Sequence, residues 1–139
     1  MAIPSGSGTE VLKRTSITGL GGSSTYGNWW HVDWTSEAVS SQASTAVVAA
    51  NHIITPISII ICNQNTSNAY NIDMAVDTDI SGGDIQYILY EQSVPSKGTF
   101  VFNDKFVLHP SDALIFRVNV DASGDNFSVY ISFIDQDWS

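Results

Sequence analysis

Apolar and polar positions alternate with a period of two in segment after segment of the chain, and no 3.6-residue apolar stripe interrupts them. Glu10 to Thr18 reads as a first strand. After a break at GLGGSS, Asn28 to Thr35 places Trp30, Val32 and Trp34 on one face and Trp29, His31 and Asp33 on the other. A short strand over Thr45 to Ala49 precedes Ile53 to Asn63, a run dense in β-branched residues. Within that run Pro56 marks an edge position, a bulge or an irregular start. NQNTSN is a turn by composition, after which Ile72, Met74 and Val76 alternate with Asn71, Asp73 and Ala75. Beyond DTDISGG, strict alternation gives one face to Ile85, Tyr87 and Leu89 and the other to Gln86, Ile88 and Tyr90. VPSKG, HPSD and DASGDN then introduce Thr99 to Leu108, Ala113 to Val120 and Phe127 to Ile134.

Eight or nine short strands, with turn signals every ~8–12 residues, predict an all-β, single-domain β-sandwich of antiparallel strands. Eight strands in two sheets make a jelly-roll-like arrangement, which we favour over an immunoglobulin-like one. The expected organisation is an extended N-terminal arm over residues 1–10, a sandwich over 11–134 and a C-terminal tail over 135–139. Pro, Gly and Ser in AIPSGSG keep it from packing as regular structure alone. It is either a frayed end or an arm that orders against a neighbour.

Composition narrows the function classes. At 139 residues the chain can bury a core without metal or disulfide staples, and its single Cys62 excludes an internal disulfide framework. Five basic residues against fourteen acidic ones leave a net charge of −9, which repels a phosphate backbone and argues against nucleic acid as partner. No apolar run approaches the ~20 residues of a membrane span. MAIPSGSGTEVLKR has no basic segment leading into an apolar stretch and does not read as a secretory signal.

Candidate chemistry is sparse. His31, His52 and His109 lack zinc-site spacing, no G-x-S-x-G elbow or phosphate loop is present, and no cofactor is expected. The chain does not read as an enzyme. Asp77, Asp79, Ser81 and Gly82 resemble the start of a calcium loop, but Ile88 stands where the bidentate Glu belongs, so a plain hairpin turn is the better reading. The tryptophan strand is the strongest candidate ligand surface: Trp29 could stack on a sugar ring while His31 and Asp33 accept its hydroxyls.

From residue 45 onward the order of elements resembles a group of small β-sandwich proteins found in the virions of tailed bacteriophages. The features are ANHIITPISIIICNQ, an apolar strand ending in Asn, then YILYEQSVPSKGTFVFNDKFVLHPSDALIFRV, then the aromatic strand VYISFID. The likeness covers residues 45–134 and is one of pattern, not of a catalytic motif. It implies a structural virion protein made in the host cytoplasm: a capsid decoration (cement) protein on the capsid surface, or a neck or tail ring component. The implied partners are the major capsid protein or another virion protein, with a homo-oligomer expected and a trimer favoured. On that reading Ile3 and Pro4 of the arm, with Val11 next to it, would contact a neighbouring subunit, while Lys13 and Arg14 would meet acidic groups on the capsid protein or on a sister subunit. A host-recognition module binding carbohydrate through Trp29, His31 and Asp33 is the alternative from a different class.

Overall fold

Among the described residues eight segments become strands, most of them rich in Val, Ile, Phe or Tyr, because a branched or aromatic side chain packs well on a pleated, half-buried surface. The computed structural model describes residues 8–21, 29–35, 46–78, 84–119 and 127–139. Its strands are β1 (Thr9–Leu20), β2 (Trp30–His31), β3 (His52–Asn63), β4 (Tyr70–Asp77), β5 (Ile85–Val94), β6 (Thr99–Phe102), β7 (Ala113–Asn119) and β8 (Phe127–Asp137).

They form two four-stranded antiparallel sheets, ordered β1-β8-β3-β6 and β2-β7-β4-β5. This is the jelly roll: apart from β4 and β5, sequential strands lie in opposite sheets. Pairing runs past both expected domain limits. Thr9 already faces Asp137, so β1 begins inside the expected arm and β8 continues through most of the expected tail. Residues 1–7 of the arm, including Ile3 and Pro4, lie outside the described residues.

Alternation puts Ile17, Ile59, Ile61, Phe127, Val129, Ile131 and Phe133 inside one sheet, against Ile72, Met74, Leu114, Phe116 and Val118 of the other. Each fully buried side chain of this size contributes about 1.5–3 kcal/mol. Trp30, Val32 and Trp34 join the core as expected, with the Trp34 ring edge-on to Phe133 at 4.9 Å. Pro56 sits at a register shift between Pro56 and Ser58, so the bulge is the alternative realised there.

Two expected strands differ. Residues 46–49 form no strand, although Val48 donates to the Asp112 carbonyl and accepts from Ser111 N–H. The segment expected from Thr99 to Leu108 keeps ladder pairing only to Phe102, then returns to β3 through the bridge of Ile54 with Leu108. Turns close the frame. Gly98 N–H donates to the Pro95 carbonyl, with Lys97 left-handed at φ 58°. In HPSD, Asp112 N–H donates to the His109 carbonyl and Ser111 is left-handed at φ 74°. Buried Asn63 ties this end of the fold together. Its amide donates to the carbonyls of Asn68 and of Val94 in the opposite sheet, and its side-chain oxygen accepts from Asn65 N–H.

Candidate functional site

Among the described residues three places carry chemistry on this frame: the outer face of the β2-β7-β4-β5 sheet, the end of the sandwich near β1, and the outer face of the β1-β8-β3-β6 sheet.

On the first, Arg117 of β7 faces Asp73 of β4, directly opposite in register. Its Nε donates to Asp73 Oδ2 at 2.8 Å and its Nη2 to the Tyr87 hydroxyl at 2.9 Å. The guanidinium carbon lies 4.3 Å from the centre of the Trp29 ring, a cation–π contact. Asp73 is fully buried, and its other oxygen accepts from Glu91 N–H at 2.7 Å. Tyr87 packs 5.9 Å from Trp29 and meets the Tyr90 ring edge-on at 5.1 Å. The result is a row of three rings, Tyr87 and Tyr90 exposed and Trp29 half-buried over Ala75, Ala113 and Ile115, braced from beneath by the Arg117–Asp73 pair.

Strict alternation separates Tyr87 from Tyr90, and the structure corrects that expectation. From Ile72 to Met74 strand β4 advances two residues, while β5 runs three, from Gln92 to Leu89. A second shift follows between Met74 and Ala75. These bulges turn both Ile88 and Leu89 toward the core and bring Tyr90 to the side of Tyr87. Glu91, at φ 50°, takes the left-handed backbone that non-glycine residues disfavour.

The three residues expected to hold a sugar each have partners of their own. Trp29 is half-buried, packed on Ala75, Ala113 and Ile115 beside Arg117 and Tyr87. His31 bonds through Nδ1 to the Ala46 carbonyl, and Asp33 caps the backbone N–H and hydroxyl of Thr35. Arg117, Tyr87 and Tyr90 were missed. Their signal, an arginine and two tyrosines in facing strands, becomes visible only with the strand order and the bulges in hand.

At the end of the sandwich, Lys13 Nζ lies 2.6 Å from Asp135 Oδ2, and His52 Nδ1 lies 2.7 Å from Asp135 Oδ1. Facing a carboxylate, Nδ1 is assigned the proton. Burial opposes ionisation of Asp135, yet the hydrogen bonds from Lys13 and His52, with their charges, outweigh it and hold its pKa below the ordinary aspartate value. A cleft of about 210 Å³ beside the cluster is bounded by Trp34, Thr35, Val47 and Ile54. His52 and Asp135 resemble the base and orienter of a catalytic triad, but Nε2 faces Asp137 Oδ2 at 3.9 Å in place of a hydroxyl nucleophile. Lys13, expected to meet an outside carboxylate, is engaged within the chain. Val11 and Arg14 are exposed on β1.

The third face carries apolar residues where polar ones are the rule. In register, Tyr130 of β8, Ile60 of β3 and Val101 of β6 form one cross-strand row, each well exposed, and Leu12 of β1 is 71% exposed farther along the same face.

Among the described residues no group of three or more His, Cys, Asp or Glu side chains could hold a metal ion. Asp77 is buried in β4, while residues 79–83 and 120–126, with the rest of both acidic turns, lie outside the described residues. No protein-family model matches the chain, and no curated protein matches it. Among solved structures it is similar to the CBM22-1 xylan-binding domain of Xyn10C from Paenibacillus barcinonensis, at 10% identity over 89% of this chain and 93% of that one, with a TM-score of 0.35. It is also similar to the CBM36-1 domain of a multidomain xylanase from the hindgut metagenome of Trinervitermes trinervoides, at 15% identity over 94% and 98% of the two chains, with a TM-score of 0.26. At these scores the likeness bears on neither ligand nor function.

Proposed function

We propose that the chain is a structural virion protein of a tailed bacteriophage, a capsid decoration protein that binds the major capsid lattice as an oligomer, with a trimer favoured. The observation that carries this reading is the exposed row of Tyr130, Ile60 and Val101 with Leu12 on one sheet face. An ordered apolar row across three strands is costly in water and gains free energy when a partner covers it. A protein partner suits it best, because aromatic and aliphatic groups dominate the buried centres of protein interfaces. The resemblance of residues 45–134 to virion sandwich proteins supports the same setting, and repetition over a lattice would turn a modest patch into strong attachment. The neck or tail ring reading shares this chemistry and differs in location alone.

The test is co-sedimentation with expanded capsids of the parent phage, with light scattering to give the oligomer. Wild type should bind as an oligomer, and Val101→Asp should bind at least about tenfold more weakly. A monomer that ignores both capsids and tails would overturn the proposal.

A further inference from the structure

We propose that the ring row of Trp29, Tyr87 and Tyr90 is a binding site for a neutral glycan, separate from the apolar face assigned to a protein partner. Four observations lead there. Two of the rings face solvent, Tyr90 at 65% and Tyr87 at 44% exposure, with Trp29 half-buried beside them on Ala75, Ala113 and Ile115, although other rings such as Phe116, Phe127 and Phe133 are wholly buried. They are held in place before any ligand arrives: Arg117 packs on Trp29 and donates to the Tyr87 hydroxyl, while Asp73 fixes Arg117 from below. The chain also accepts a locally disfavoured backbone to build the row, since two bulges and left-handed Glu91 put Tyr90 beside Tyr87. Finally, Asn71 and Asn119 pair opposite each other on the same face, one pleat beyond Asp73 and Arg117.

Rings with side-chain amides at hand are what a sugar needs. The C–H face of a pyranose packs on an aromatic ring, and its hydroxyls both donate to and accept from amides. The Tyr90 and Tyr87 planes stand at 88° to each other, so they form a step that a bent chain of sugars can follow. Charge selects the class. Arg117 is matched by buried Asp73, so it offers no unbalanced cation to an anionic ligand, and exposed Glu91 beside Tyr90 and the whole chain at −9 repel polyanions. The ligand class is therefore neutral polysaccharide.

The experiment is native electrophoresis of the full chain through gels containing dextran, mannan, xyloglucan or, as a charged control, alginate. Wild type should be retarded by at least one neutral polymer, and Tyr90→Ala should weaken that retardation at least about tenfold. Tyr90 is exposed, so circular dichroism and oligomer size should stay unchanged in the variant. Retardation by no neutral polymer, by alginate alone, or equally in wild type and Tyr90→Ala overturns the proposal. A change of oligomer size in Tyr90→Ala overturns it as well, because the rings would then be covered by a second copy. Capsid binding by Tyr90→Ala should match wild type, which keeps this site distinct from the capsid reading.

Discussion

Arg117 and Asp73 face each other across β7 and β4, Nε to Oδ2 at 2.8 Å, and the carboxylate is entirely buried while the guanidinium reaches toward solvent. That asymmetry makes the pair a brace. Asp73→Ala removes the acceptor for both Arg117 Nε and Glu91 N–H and takes away the counter-charge of a partly buried guanidinium. We expect a loss of about 3 kcal/mol in urea denaturation. Asp73→Asn keeps an acceptor for Glu91 and should lose less.

Stability should fall in acid through Asp135. Its folded pKa is lowered: burial opposes this, and the hydrogen bonds from Lys13 and His52 override it. Its stabilising contribution is therefore complete above the unfolded pKa and is lost as pH falls through the lower folded value, because the unfolded chain takes up the proton first. Denaturation curves from pH 7 to pH 3 should show the loss beginning below about pH 4. Asp135→Asn should show a smaller difference between the two ends; an unchanged slope would refute this assignment.

Asn63 is the predicted weak point of the turn end. Its amide donates to two carbonyls, one of them in the opposite sheet, and its oxygen accepts from Asn65 N–H. Asn63→Leu strands all three groups and should cost about 2–4 kcal/mol, read as a lower melting temperature. Asn63→Asp keeps the acceptor but loses both donors, so it too should destabilise.

Gly98 should resist a methyl group. A Cβ there would stand 2.9 Å from the Pro95 carbonyl oxygen and 3.1 Å from its Cδ, both parts of a rigid turn. Gly98→Ala should cost about 1–3 kcal/mol, and calorimetry would detect it.

Much of the architecture was legible because period-2 alternation is a direct record of burial. Trp30, Val32 and Trp34 separate from Trp29 on that basis alone, and so does most of the core. The pattern failed where the pleat is interrupted. Alternation carried through β5 assigns Leu89 to the face of Tyr87 and Tyr90 to the other, and the two bulges reverse both. It failed also where partners are distant in sequence. Lys13 and Asp135 are 122 residues apart, and nothing local to Lys13 announces that β8 lies alongside it. Arg117 gave no sign from composition, because its role depends on Asp73 being opposite and Trp29 being above. In contrast, VPSKG, HPSD and the Asn that ends β3 are local features, and each proves to close or anchor a turn.

The place of β8 bears on how the molecule is made. It lies between β1 and β3, so β1 joins its sheet only through residues 127–137, the last of the eight described strands to leave the ribosome. Until β8 is in place β1 has no neighbour to pair with in its sheet, although its apolar face, like that of β3, packs against the opposite sheet. Closing this sheet is therefore a long-range step, pairing β1 with β8, and it makes folding slow for a chain of this size and open to aggregation until it is made.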